Sequence, residues 1–211
     1  MIQRTHFPGS ILLLVFWSLC GGSVTLRAQF QQVPQDSSAL FDPVPLPTEI
    51  AWERFSDVDG RFRILVPGEF TDKVDTIHTP IGPLAYHTFF YNDPKGVSNN
   101  LFYMVSYCDY PPSSVHSDST DLVEDFFQQT IEAAVESVHG TELYRGESSV
   151  QGFPGRNWRI DYLDGKAVIR TRAFLVQRRY YAIQTISLAE PGLNLEATKF
   201  LDSFRLLSAG D

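Results

Sequence analysis

Phe62, Ile64 and Val66 fall on one face of an alternating stretch over residues 61–66, the period of a half-buried strand. Asp59-Gly60 before it is a turn signal. The Asp57-x-Asp59-Gly60 spacing lacks the third acid and closing Glu of a calcium loop, so it reads as a turn. Further strands are predicted over Phe70–Ile77, Leu84–Tyr91 and Leu101–Cys108. Leu101-Phe102-Tyr103-Met104-Val105 shows no polar alternation, which predicts a strand covered on both faces. The period then changes. Leu122, Val123, Phe126, Phe127, Ile131, Ala133, Ala134 and Val138 share one half of a helix, with acids and glutamines on the other. Asp121 and Glu124 are spaced as a capping box, and Gly140 is placed to stop the helix. Four strands follow, Glu142–Val150, Arg156–Leu163, Lys166–Val176 and Arg179–Leu188. Asp164-Gly165 joins the second and third as a hairpin. Counting back from it, Ile160 faces Ile169 and Trp158 faces Thr171. Arg159 faces Arg170 on the other side of the sheet, with Asp161 diagonally across from Arg170. Pro191-Gly192 closes the run, and a last helix from Asn194 to about Ser203 turns Ala197, Phe200, Leu201 and Phe204 inward. The order predicts an α+β domain, a largely antiparallel sheet with helices packed on it.

The N-terminal segment has a different pattern. Arg4 and His6 precede an apolar run, Ile11 to Leu19. That run is shorter than the roughly 20 apolar residues that span a bilayer, and it reads as the core of an export signal over residues 1–28, cleaved after Ala28. Cys20 offers the alternative of a lipoprotein, but Leu19 is large for the residue before a lipidated cysteine. Residues 29–49 are rich in Gln, Pro and Ser and read as a flexible tether. The compact domain is expected over 50–207. About 155 residues bury roughly 70% of their unfolded surface, so neither a disulfide nor a metal is needed for stability.

The chain of 211 residues has a formal net charge of -8 and 43% hydrophobic residues, an ordinary globular composition. Signal removal takes Arg4 and Arg27 and no acid, so the mature chain is more acidic still. That balance excludes nucleic acid as the main partner, because phosphate binding needs a basic face. Of two cysteines only Cys108 survives cleavage, inside an apolar run where a thiol is a small core residue. His78, His87, His116 and His139 lie at no metal-ligand spacing. No phosphate loop, nucleophile elbow, H-E-x-x-H or C-x-x-C occurs. No catalytic, cofactor-binding or metal-ligating residue is therefore assigned. One charge asymmetry stands out. Arg156, Arg159, Lys166, Arg170, Arg172, Arg178 and Arg179 fall close together, against Asp161 and Asp164. Arg159, Arg170 and Arg172 share a sheet face, and Arg178 and Arg179 sit at the following turn. These five are the candidate site for an anionic ligand or acidic partner, since guanidinium forks match carboxylate and phosphate. The structural alternative is that neighbouring carboxylates satisfy them.

The frame Trp52-Glu53-x-Phe55-Ser56, Asp59-Gly60-Arg61-Phe62, Pro67-Gly68, Thr79-Pro80-x-Gly82-Pro83, Val105-Ser106-Tyr107-x-Asp109-Tyr110-Pro111, Gly152-Phe153-Pro154-Gly155-Arg156 and Phe200-Leu201-Asp202-Ser203-Phe204 resembles uncharacterised exported bacterial domains of the PsbP/Mog-like fold. That fold is named for an extrinsic photosystem II subunit and a Ran-binding protein. The resemblance implies an antiparallel sheet between helices, an αβα sandwich. Its motifs are turn and packing residues, so it implies no catalytic residue and no shared partner. The expected function is an exported, periplasmic or secreted, non-enzymatic interaction or accessory module. The alternatives are a small-molecule carrier with an enclosed pocket and a carboxylate-based hydrolase.

Overall fold

The structure is a computed structural model. It describes residues 50–93, 96–189 and 193–208. The expected signal, Cys20, the tether and Pro191-Gly192 lie outside the described residues. The elements are β1 (Glu53–Asp57), β2 (Phe62–Val66), β3 (Thr71–Thr79), β4 (Gly82–Asn92), β5 (Asn100–Asp109), α1 (Thr120–Ser137), β6 (Thr141–Val150), β7 (Phe153–Tyr162), β8 (Ala167–Val176), β9 (Arg179–Leu188), α2 (Leu195–Ser203) and β10 (Arg205–Leu206).

A seven-stranded antiparallel sheet runs in the order β3-β4-β5-β9-β8-β7-β6. Two local meanders, β3–β5 and β6–β9, are joined where β5 pairs with β9. The unalternating strand β5 is therefore central. Residues Tyr103 to Cys108 are all buried, because both faces of the sheet are covered. The hairpin register is as counted: Ile160↔Ile169, Trp158↔Thr171 and Arg159↔Arg170. The connection is four residues wide, with Leu163, Asp164 and Gly165 all at positive φ, and Lys166 N–H donates to the Leu163 carbonyl.

Helix α1 lies on one face. Phe126, Phe127 and Ile131 pack with Trp158, Ile160, Ile169, Leu175 and Tyr180, each buried. The other face is covered by α2 together with a three-stranded sheet, β1-β2-β10. There Phe62, Ile64 and Val66 meet Tyr103, Val105, Phe174, Ile183, Phe200 and Phe204. Gly60, in the β1–β2 turn, lies so close to the Tyr107 and Phe62 rings that a Cβ there would overlap them.

The helix start departs from expectation. α1 begins at Thr120 after Ser119, which makes no side-chain capping bond. Asp121 is inside the first turn, and Glu124 reaches across to Arg156 instead of back to a cap. The end departs too: the helix stops at Ser137, and His139 takes the left-handed conformation expected of Gly140. Gly140 instead supplies the N–H that closes on the Val135 carbonyl. At α2, Asn194 caps as expected, accepting Ala197 N–H at 2.9 Å.

Candidate anion-binding site

Alternation places Arg159, Arg170 and Arg172 on the α2 face of the sheet, because each lies one residue from a side chain buried under α1. Arg159 and Arg170 are direct cross-strand partners, an unfavourable like-charge pairing unless it is relieved. Asp161, opposite Val168, lies diagonal to Arg170 as counted, yet its carboxylate turns to Arg159 instead. It accepts from Arg159 Nε at 3.0 Å, along its own strand. Arg170 has no carboxylate partner among the described residues. Its Nη1 donates to the Asn194 carbonyl at 3.3 Å and to Thr198 Oγ1 at 3.2 Å, both at the start of α2. One carboxylate thus faces two guanidinium groups.

The start of α2 is fixed from beneath. Asn194 Nδ2 donates to Asn100 Oδ1 at 2.9 Å, and Asn100 Nδ2 donates to the Tyr103 hydroxyl at 2.8 Å. Glu196 accepts from Ser98 Oγ at 2.6 Å and from Asn99 N–H at 2.9 Å. The result is a cleft of about 250 Å³ between α2 and the β7–β8 pair. Arg159, Arg170 and Asn194 line its polar part, and Tyr144, Leu188 and Leu193 its apolar part. Leu193 is 91% exposed.

The other three arginines are elsewhere. Arg172 pairs with Asp202 of α2 at 2.7 Å. Arg178 and Arg179 lie at the far end of β8, about 20 Å along the strand direction from Arg170. There Arg179 grips Asp109 with Nε and Nη2, at 2.7 and 2.6 Å, and donates to the Asp59 carbonyl from Nη1. Its guanidinium lies 4.8 Å from the centre of the Tyr107 ring. Arg178 makes one long contact, 3.5 Å, to the Tyr110 carbonyl. The five candidates therefore divide between two ends of the sheet. The sequence reading missed Tyr144, Leu193, Asn194 and Thr198 as lining residues of the cleft beside α2. Tyr144 is brought there by its pairing with Arg159, and the others by the docking of α2.

The Arg179 guanidinium holds the Asp109 carboxyl below its ordinary range, and Arg145 does the same for Glu142. Burial pushes the Cys108 thiol and the Tyr86, Tyr110 and Tyr180 hydroxyls up, so these stay protonated. Among the described residues no three His, Cys, Asp or Glu side chains gather as metal ligands would.

No protein-family model matches the chain, and no curated protein matches it. A solved structure does: the solution structure of cyanobacterial PsbP (CyanoP) from Synechocystis sp. PCC 6803. The identity is 14% and the TM-score 0.50, over 82% of this chain and 99% of that one. The chain has a PsbP-like fold. At that identity the likeness speaks for architecture. The PsbP-like sheet, with α1 on one side and α2 on the other, is the frame on which both arginine ends are displayed. No helix among the described residues is long and apolar enough to cross a membrane.

Proposed function

We propose that this chain is an exported, non-enzymatic accessory module that binds an anionic group of its partner between Arg159 and Arg170. The observation that carries this reading is the Arg159–Arg170 pairing with a single carboxylate, Asp161, beside it. An anion seated between the two forks relieves their repulsion and adds charge-assisted hydrogen bonds. The first turn of α2 adds the positive end of a helix to the same cleft. Exposed Leu193 and Tyr144 give the partner an apolar foothold beside the charge. The N-terminal apolar run and the Gln/Pro/Ser-rich lead support export followed by tethering.

Titration of the isotope-labelled mature chain with sodium citrate, followed by amide and guanidinium resonances, tests the site. Shifts should centre on Arg159, Arg170 and Asn194 and fade in Arg170→Gln. Equal shifts in that variant would overturn the assignment. Mass spectrometry of the processed chain tests export. A start at Gln29 supports it, and a diacylated Cys20 would replace free export with a lipid anchor.

A further inference from the structure

The far end of the sheet holds a second cleft, of about 540 Å³. Three turns meet around it: the β1–β2 turn brings Arg61, the β6–β7 turn Gln151, and the β8–β9 turn Gln177 and Arg178. Phe153, Val176 and Leu206 form the apolar part of its lining. Tyr181 is fixed there by donating to the Gly60 carbonyl at 2.7 Å.

Arg61, Gln151 and Gln177 all have left-handed backbones, with φ of 55°, 47° and 55°. They are half of the six described non-glycine residues in that region. Glycine, asparagine and aspartate occupy it at least cost. Long side chains held there in one cleft point to a use for those side chains. Gln151 has a structural part to its use, since its Oε1 accepts Leu206 N–H at 2.7 Å. Its Nε2 has no partner among the described residues. Gln177 and Arg61 make no side-chain hydrogen bond among them.

The charges sort the same way. Arg179 is satisfied by Asp109 and the Asp59 carbonyl. Asp57 accepts Gly60 N–H, and Asp59 is exposed in the same turn. Arg61 and Arg178 form no ion pair with a described carboxylate, and both are exposed. On a chain of net charge -8, two unpaired arginines in a cleft are a local reversal of sign.

We infer that this cleft binds an extended acidic peptide segment, with Arg61 and Arg178 taking two of its carboxylates and the Gln151 and Gln177 amides its main chain. Carboxylates suit the site because Arg61 and Arg178 are separate forks on two different turns, each able to take one such group. A peptide suits it better than a free dicarboxylate of a few carbons, which would leave most of 540 Å³ and its apolar part unfilled. This site is independent of the Arg159–Arg170 cleft.

The test is fluorescence anisotropy with a dye-labelled octapeptide carrying glutamates at two alternate positions. The same peptide with glutamines is the control, and succinate and inorganic phosphate are competitors. Binding should need the glutamates and weaken as salt rises. Succinate and phosphate should compete only at concentrations at least tenfold above the unlabelled peptide. Arg61→Gln and Arg178→Gln should each weaken binding about threefold to tenfold, while Arg170→Gln leaves it unchanged. Arg61→Gly, which the backbone favours, should hold or raise Tm while losing affinity as Arg61→Gln does. Equal binding of the glutamine peptide, equal competition by succinate or phosphate, or unchanged affinity in both Arg61→Gln and Arg178→Gln overturns the inference. So does a full loss in Arg170→Gln, which would place the peptide at the other cleft.

Discussion

At one end of β8, Arg159 and Arg170 face each other with Asp161 as their one carboxylate. At the other end, Arg179 is held through Nε and Nη2 by both oxygens of Asp109, through Nη1 by a backbone carbonyl and on one face by the Tyr107 ring. The same residue type is thus an unsettled charge in one place and a structural bracket in the other. The difference arises from the strand next door. β7 offers Arg170 another arginine as its direct neighbour, whereas β5 offers Arg179 an aspartate. Clustering of arginines in the sequence says little about function until the register assigns each one a neighbour.

Three substitutions sharpen this contrast. The largest effect lies under both ends at once. Phe127 is fully buried between α1 and the sheet, and Phe127→Ala should cost about 3–5 kcal/mol. Urea unfolding checks it, and a single transition would show that the two ends belong to one cooperative unit. A loss under about 1 kcal/mol would mean that α1 docks by another face.

The second is Asp109→Asn, which strips the bracket from Arg179. Asp109 is 60% exposed, so solvent screening limits the loss to about 1–2 kcal/mol. The pH dependence has a definite sign. The folded carboxyl lies below its ordinary value because of Arg179. The pair therefore contributes fully above the unfolded aspartate value, about pH 4, and its contribution disappears as pH falls through the folded value. Wild type and variant should converge in stability at low pH and separate above about pH 5.

The smallest effect is at the unsettled end. Arg170→Gln removes a like-charge contact together with two long hydrogen bonds, so stability should change by no more than about 0.5 kcal/mol. Its signature is in salt. Added sodium chloride should raise wild-type stability relative to the variant, because it screens the Arg159–Arg170 repulsion. A loss of 2 kcal/mol or more, roughly the cost of a broken buried bond, would make Arg170 a structural residue and remove it as a candidate ligand.

The unsettled end was legible in the sequence for a physical reason. A tight turn and a period of two fix which residues oppose each other, so Asp164-Gly165 was enough to set Arg159 against Arg170. Arg172 shows where such reasoning stops. Its partner Asp202 is 30 residues on, on a helix whose placement depends on the second core. The β1-β2-β10 sheet was illegible as well. β10 is two residues long, and β1 buries no residue fully, so neither leaves a periodic signal. Ser119 in place of Asp121 at the start of α1 is a shift of two residues, within the range by which helix ends escape local pattern.

The Asp109–Arg179 bracket also has a consequence for the order in which the chain assembles. The two residues are 70 apart in sequence, and they sit where β5 meets β9. Every other neighbouring pair in the seven-stranded sheet is a hairpin between consecutive strands. Each meander closes only short loops, whereas the β5–β9 seam must bring distant segments together across the α1 connection. The seam is thus the late, entropically costly step, and a two-pronged charge pair at its rim rewards only the register that closes it.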